Sequence, residues 1–270
     1  MKKKQFSLLL AVGILFLNAC GNRTKKEDPN YIRVGISSGP ERELAEAAKK
    51  VAKEQFNLEV ALITFNDYVV PNEALNNGDI DLNVFQHVPY LEAQSRQRGY
   101  QLTAVANTFV YPIVAYSKKI KKLEELAQGS TIAIPNDPTN GGRALLLLQQ
   151  NGLLQLKADV GLLPKITDIT GNPKQLKILE IEAPQLPRVL DDKEVSIAII
   201  NNNFASQAGL NAAESGLFKE DKTSPYVNVI VARTDQKNAE KVKKFIKAYQ
   251  SEAVLQKADE VFKGGAVKGW

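Results

Sequence analysis

Short apolar stretches alternate along the chain with segments whose apolar positions recur at helical spacing. The first apolar stretch, residues 31–36, leads through a Ser-Ser-Gly-Pro turn into residues 41–55, where one helical face carries Leu44, Ala45, Ala48, Val51 and Ala52. The same reasoning predicts strands at 58–65 and 80–85 and helices at 71–77 and 90–99. Strands that alternate with helices favour a mainly parallel, covered α/β sheet.

A second series of this kind begins near Ser130. It predicts strands at 131–135, 177–182 and 195–200, and helices at 143–150, 186–191 and 204–209, with residues 136–142 forming a turn before the first of these helices. Two series in one chain predict two lobes, each a mainly parallel sheet flanked by helices.

Two long apolar segments, residues 109–116 and 225–233, lie where one series gives way to the next, and we expect them to be crossover strands between the lobes. The helices predicted at 239–250 and 252–262 would then return to the first lobe. This assigns residues 31–108 and 229–270 to lobe one and residues 109–228 to lobe two.

Sliding the sequence along itself by 115 residues brings the two series into hydrophobic register. The segment Phe85-Gln86-His87 then corresponds to Asn201-Asn202-Asn203. Both segments follow a predicted parallel strand, and open α/β sheets bind ligands at the carboxyl ends of such strands. We therefore expect the two segments to contribute to one site.

The amino-terminal residues have the pattern of an export signal. Three lysines precede an uncharged apolar run, residues 6–17, which is too short to cross a bilayer core of about 30 Å comfortably. The run ends at Leu17-Asn18-Ala19-Cys20-Gly21, which resembles a bacterial lipobox. We expect a lipoprotein signal peptide at 1–19, a lipid on Cys20, a disordered tether at 20–30, and an extracytoplasmic protein anchored to the cell membrane. A plain signal peptide or an unmodified thiol is the alternative.

Charge gives little support to nucleic-acid binding. Without the three leading lysines, the 35 basic and 30 acidic residues become 32 against 30, whereas nucleic-acid binding needs a concentrated basic face.

The residue inventory argues against an enzyme. His87 is the only histidine and Cys20 the only cysteine, and the common hydrolase, zinc-protease and phosphate-loop motifs are absent from the sequence. Asp79 and Asp81 alternate before a strand and are interpreted as turn and edge residues rather than as a cation site. A hydrolase built on two carboxylates that meet only in the fold stays open. We otherwise expect a binding protein with no cofactor and no metal.

The candidate binding residues are polar and aromatic side chains at predicted strand ends. Arg143 falls in the first turn of its predicted helix, where the helix dipole disfavours a cation unless an anion lies close by. A ligand carboxylate would supply that anion, and a surface arginine paired with an acid is the alternative. The other candidates are Tyr68, Phe85, His87, Tyr90, Asn140, Asn201 and Asn228, for which core packing, turns and caps are the alternatives.

Several long motifs closely resemble the methionine-binding lipoproteins of bacterial methionine ABC importers. They are Phe65-Asn-Asp-Tyr68, Pro71-Asn-Glu-Ala-Leu75, Gly78-Asp-Ile-Asp81, Phe85-Gln-His87, Asn107-Thr-Phe-Val-Tyr-Pro112, Pro135-Asn-Asp-Pro-Thr-Asn140, Glu182-Ala-Pro-Gln-Leu-Pro187, Ser224-Pro-Tyr-Val-Asn228 and Gly264-Gly-Ala-Val-Lys-Gly-Trp270. The likeness covers nearly all of the chain after the predicted tether.

This resemblance implies a two-lobed α/β protein of the periplasmic-binding-protein-like fold, a monomer that delivers L-methionine to the importer's permease and ATPase subunits. It implies that Arg143 holds the ligand carboxylate, while Asn140, Asn201, Asn228 and His87 fix the polar end. The thioether would lie among Tyr68, Phe85 and Tyr90. The sequence departs from the family at Asn18 and at Asn202-Asn203-Phe204, where relatives often have hydroxyl residues and tyrosine.

Two alternatives to a methionine receptor remain. One is a receptor for another small solute on the same scaffold, such as a methionyl dipeptide or another amino acid. The other is a surface lipoprotein with an adhesive or structural role.

Overall fold

The computed structural model describes residues 28–221, 224–263 and 265–270. The predicted signal peptide, the predicted lipidation site Cys20 and most of the predicted tether lie outside these residues. Within them, the strands are β1 (Tyr31–Ser37), β2 (Glu59–Phe65), β3 (Leu82–His87), β4 (Leu102–Val110), β5 (Val114–Tyr116), β6 (Thr131–Pro135), β7 (Gln155–Leu156), β8 (Ile169–Gly171), β9 (Lys177–Ile181), β10 (Val195–Ile200), β11 (Gly216–Lys219), β12 (Val227–Arg233) and β13 (Val267–Lys268).

The α-helices within the described residues are α1 (Glu41–Phe56), α2 (Val70–Asn77), α3 (Val88–Arg98), α4 (Pro138–Gln150), α5 (Asn202–Gln207), α6 (Ala212–Ser215), α7 (Glu240–Tyr249) and α8 (Glu252–Phe262). Among these residues, no helix has both the length and the apolar character needed to cross a membrane.

Two sheets form the centres of two lobes, as the alternating pattern predicts. The first has the order β13-β4-β12-β3-β1-β2, and the second β11-β5-β10-β6-β9. In each sheet, three neighbouring strands run parallel, namely β3-β1-β2 and β10-β6-β9, and antiparallel strands complete the other side. The chain crosses between the lobes from β4 to β5 and from β11 to β12, and these strands lie on the antiparallel sides of the two sheets.

Helix α1 shows how the apolar periodicity becomes a core. Leu44, Ala48 and Ala52 are fully buried and belong to one cluster with Ile32 and Val34 of β1. The two C-terminal helices, α7 and α8, add Val242, Phe245, Val254 and Ala258 to the same cluster. The end of the chain therefore completes the first lobe.

The segment 109–116 is not the single long strand that its apolar residues predict. Strand β4 ends at Val110 in the first sheet, and β5 begins at Val114 in the second. Pro112, which lies between them, has no backbone N–H to donate to a ladder. The return crossing lies between β11 of the second sheet and β12 of the first. Both links are therefore irregular, and strands flank them.

Two predicted helices differ from the structure, and five short elements were not predicted. The helix predicted at 186–191 consists of 3-10 turns at Ala183–Gln185 and Arg188–Asp191. The short elements β7, β8, β11, β13 and α6 were not predicted, because two to four residues show no periodicity. Helix α4 begins five residues earlier than predicted.

Asp81 is a buried structural residue and not an edge residue. It is 4% exposed and accepts hydrogen bonds from the Arg33 backbone N–H, at 2.8 Å, and from Arg33 Nε, at 3.1 Å, while Lys241 Nζ lies 3.2 Å away. Burial alone would raise the pKa of Asp81, but the bonds from Arg33 and the charge of Lys241 hold it below its usual value. This carboxylate joins β1 and α7 at the foot of the first lobe.

Candidate ligand-binding site

A small cavity of about 30 Å³ lies between the two sheets and is lined from both lobes. All eight residues predicted from the sequence line it: Tyr68, Phe85, His87, Tyr90, Asn140, Arg143, Asn201 and Asn228. Five residues that were not predicted also line it: Glu41, Gln86, Tyr111, Asn202 and Asn203.

Corresponding strands of the two sheets bring the polar residues together. His87 is the last residue of β3, and Asn201 directly follows β10. In each sheet this strand lies between a parallel and an antiparallel neighbour, β1 and β12 in one and β6 and β5 in the other. Asn228, on β12, pairs with His87 across the ladder.

His87 is a neutral, buried hydrogen-bonding group. Its Nδ1 accepts the Tyr90 backbone N–H at 3.2 Å and so caps α3, which leaves the proton on Nε2. Nε2 lies 3.2 Å from Asn140 Oδ1 in the other lobe and donates to it. Burial, followed by the positive charge of Arg143, lowers the pKa of His87 to about 3.

Asn140 is engaged on both sides of its amide. Nδ2 donates to the two carboxylate oxygens of Asp137 at 3.1 and 3.0 Å. Oδ1 accepts from His87 and from Asn201 Nδ2, the latter at 2.9 Å. The amide therefore links the two lobes directly. Asn201 Oδ1, by contrast, is buried and has no hydrogen-bond partner among the described residues.

Helix α4 begins at Pro138, and this moves Arg143 out of the first turn, where the sequence places it. Asp137 caps the helix by accepting the backbone N–H groups of Thr139 and Asn140. Pattern reasoning treats Pro138 and the two glycines as helix breakers. However, proline suits a first helical position, and a Cβ on Gly141 would lie 2.8 Å from the Pro135 carbonyl oxygen. Close packing onto β6 therefore accounts for that glycine.

The sequence leaves two partners open for Arg143, an acidic side chain of the protein or a ligand carboxylate, and the surroundings of Arg143 fit both. It is buried, at 4% exposure, and its Nε and Nη2 bond the carboxylate of Glu220. Nη2 also donates to the Tyr111 carbonyl at 2.9 Å, and the guanidinium lies 4.5 Å from the centre of the Tyr226 ring. Nη1 has no hydrogen bond to any described residue. One nitrogen thus remains for a ligand in the cavity that Arg143 lines.

Glu220 also joins the two links between the lobes. Its backbone N–H donates to the Ile113 carbonyl at 3.1 Å, and its carboxylate accepts the Ile113 N–H at 3.4 Å. Sequence reasoning did not find this residue, because it follows a four-residue strand and belongs to no motif.

The aromatic wall draws on both lobes. The Tyr68 ring centre lies 5.8 Å from that of Phe85, 6.0 Å from that of Tyr90 and 4.9 Å from that of Phe204, which belongs to the second lobe. The Tyr68 hydroxyl donates to Asn203 Oδ1 at 2.5 Å, again across the cleft. These contacts enclose an apolar space that ends at polar groups.

Two further polar residues of the cavity, Asn228 and Glu41, have open hydrogen-bonding groups. Within the described part of the chain, the side chains of Asn228 and Glu41 make no hydrogen bond, although they are only 8% and 7% exposed. Burial raises the pKa of Glu41 to about 8. The sequence gives no signal for Glu41, because an acid in the first turn of a helix is ordinary. In the described residues, no group of three or more His, Cys, Asp or Glu side chains could hold a metal ion.

Known proteins resemble this chain over nearly its whole length. The sequence profile of the NlpA lipoprotein family matches residues 32–270. The D-methionine-binding lipoprotein MetQ of Escherichia coli K12 is 60% identical over 270 residues, which are all of this chain and 99% of that protein.

Two solved structures extend the likeness to the fold. The crystal structure of a methionine-binding protein, MetQ, superimposes with a TM-score of 0.89 at 62% identity, covering 90% of this chain and 99% of that one. A Burkholderia cenocepacia nutrient-binding protein bound to methionine gives a TM-score of 0.86 at 48% identity, covering 88% and 100%. The predicted two-lobed α/β fold is thereby confirmed.

Proposed function

Because the chain belongs to the NlpA lipoprotein family, we propose that it captures methionine in the cleft between its two lobes and delivers it to an ABC importer. One observation carries the proposal: a single buried cavity combines a guanidinium nitrogen without a protein partner, open amide groups and an aromatic wall. A relative that is 48% identical has been solved with methionine bound.

In this proposal, Arg143 holds the ligand carboxylate through Nη1. A charge-assisted hydrogen bond to a carboxylate is about twice as strong as a neutral one. Asn201 Oδ1 and the Asn228 amide bond the rest of the polar end. Asn140 and His87 act by holding that site together, because their own groups already bond each other and their neighbours.

The thioether lies against Tyr68, Phe85 and Tyr90. A sulfur beside an aromatic ring adds about 0.3–1.5 kcal/mol per contact. An apolar pocket of this kind distinguishes methionine from polar amino acids.

Closure of the two lobes is the signal to the importer. A ligand stabilises the closed form only by as much as it binds that form more tightly. Methionine meets this condition, since its polar end bonds Arg143 and Asn201 of the second lobe and its thioether lies against rings of the first lobe. The lipid on Cys20 would keep the receptor at the membrane that holds the permease and its ATPase subunits.

The ligand can be identified directly. We would denature the purified protein, identify any released solute by mass spectrometry, and then titrate the refolded protein with L-methionine, D-methionine and a methionyl dipeptide. We expect methionine in the supernatant and saturable heat on titration. A dipeptide or another amino acid in its place would favour a receptor for a different solute. Neither solute nor heat would leave the adhesive or structural alternative.

Delivery needs a separate test. Membrane vesicles containing the permease and ATPase subunits should take up methionine only when the loaded protein is added. Uptake that is the same without it would refute the delivery step but not the binding step.

A further inference from the structure

Glu41 is a buried carboxyl group that takes part in none of the hydrogen bonds or ion pairs that stabilise the described part of the fold. It is the first residue of α1 and lines the cavity at 7% exposure, whereas its neighbours Arg42 and Glu43 are exposed. No described residue forms a hydrogen bond or an ion pair with its side chain. Unpaired buried carboxyl groups are costly, so proteins keep them neutral, or pair them with a cation.

Among the described residues, the titratable groups that interact electrostatically with Glu41 do not include a cation. They are the side chains of Tyr68, Tyr111 and Tyr249, which come from the segment before α2, the segment after β4, and α7. Burial raises the pKa of each of these tyrosines, so they are neutral near pH 7. The guanidinium that lines the same cavity, that of Arg143, is already bonded to Glu220.

The rest of the cavity favours a negative group and leaves a positive one unmatched. Besides the guanidinium, helices α1 and α3 begin at or directly after residues that line the cavity, Glu41 and His87, and helix N-termini carry partial positive charge. These features serve the carboxylate of an amino acid. Its ammonium needs a different partner, and an acceptor with full negative charge is the strongest available.

We infer that the carboxylate of Glu41 binds the α-ammonium of the captured amino acid and makes the cleft selective for ligands with a free, charged amino group. This inference rests on the proposed function and deepens it. An ammonium has three N–H groups, so one that bonds Glu41 has N–H groups left for a second acceptor, and Asn201 Oδ1 is an unsatisfied acceptor of the same cavity.

To pair with an ammonium, the carboxyl group of Glu41 must lose its proton. Burial raises the pKa of Glu41 to about 8, so the carboxyl group is mostly protonated at pH 7. An ammonium beside it favours the charged form. The O–H bond of the carboxyl group then breaks, its proton passes to the buffer, and the ionised carboxylate pairs with the ligand. Close to one proton should be released for each ligand bound.

Titration calorimetry measures this proton directly. The full-length protein, in mild detergent at pH 7, would be titrated with L-methionine in several buffers that differ in ionisation enthalpy. The second ligand would be 4-(methylthio)butanoate, the same molecule without its amino group. We expect nearly one proton released with methionine and none with the deaminated acid, which should bind about tenfold or more weakly.

Two matched variants complete the test. Glu41→Gln should release no proton and should lose most of the preference for methionine over the deaminated acid. Glu43→Gln makes the same substitution at an exposed position of the same helical turn and should behave as the unaltered protein. Thermal unfolding would verify that both variants fold, and the proton count on the unaltered protein does not depend on them.

The outcomes separate the two proposals. If methionine does not bind the unaltered protein, the proposed function fails. If it binds without releasing a proton, or if Glu41→Gln keeps the full preference of the unaltered protein for methionine over the deaminated acid, the role of Glu41 is refuted and the proposed function stands.

Discussion

Arg143 has two roles that a double substitution can separate. It offsets the buried charge of Glu220, and in the proposed function it also holds the ligand carboxylate. Replacing Arg143 with Met leaves the Glu220 carboxylate at 8% exposure without its partner. Removing one partner of a buried ion pair costs about 3–5 kcal/mol, so the free energy of unfolding should fall by that amount.

The double variant Arg143→Met, Glu220→Gln leaves no uncompensated charge. Neutral replacement of a buried pair is often close to neutral for stability. Some loss remains, because the Tyr111 carbonyl also loses a hydrogen bond, which is worth about 1 kcal/mol. Most of the stability lost in the single variant should therefore return, as measured by urea unfolding.

Methionine affinity should not return with it. The ligand carboxylate lacks its cation in both variants, at a cost of about 2–5 kcal/mol, or roughly 30-fold to several thousand-fold in Kd. Glu220→Gln alone should keep methionine binding, and Arg98→Met, a change at an exposed arginine, should alter neither property. If the double variant binds methionine normally in calorimetry, the guanidinium serves the fold alone and our reasoning about the ligand is refuted.

Three further outcomes test the site and its support. Tyr68→Phe removes the 2.5 Å hydrogen bond to Asn203 across the cleft and should weaken methionine binding about two- to tenfold in titration; an unchanged Kd would contradict a role in closure. The pKa of His87 falls from 6.5 to about 3 on folding, so the free energy of unfolding should decline below pH 6.5 by up to about 1.4 kcal/mol per pH unit. Urea unfolding of His87→Gln should show a shallower decline, and equal slopes would count against a neutral, buried imidazole. In Gly141→Ala, the new Cβ would lie 2.8 Å from the Pro135 carbonyl oxygen; we expect a loss of about 1–3 kcal/mol, and an unchanged Tm would show that β6 and α4 can separate without cost.

The periodic parts of the fold could be predicted from the sequence, and the transitions between them could not. Helix α1 and strand β1 repeat their apolar positions at one fixed spacing, so local sequence is enough to identify them. At the crossing 109–116, every residue is apolar or aromatic, and the only polar side-chain atoms are the hydroxyls of Tyr111 and Tyr116. The change from one sheet to the other depends on which neighbours pair, and this information lies in distant strands.

The same limit divides the residues of the site. Arg143 and Asn140 were identifiable, because they belong to a motif at a strand-to-helix turn. Glu220 and Glu41 were not, since their importance arises from burial and from partners far along the chain. Arg143 and Glu220 are 77 residues apart. The roles predicted for the eight cavity residues remain predictions until a ligand is seen among them.

The guanidinium of Arg143 is bonded to both peptide links between the lobes, through the Tyr111 carbonyl and through Glu220. These links are the pivot of any opening movement, and displacement is smallest next to a pivot. A ligand held there by its carboxylate could stay attached while the cleft opens and shuts. Tyr68, which lines the cavity, contacts Phe204 of the second lobe only once the lobes have come together. Initial binding would thus depend on the carboxylate that all amino acids share. Selectivity for the side chain would arise later, when the lobes close. An amino acid with a different side chain would still bind the open cleft, but it would dissociate because the lobes do not close on it.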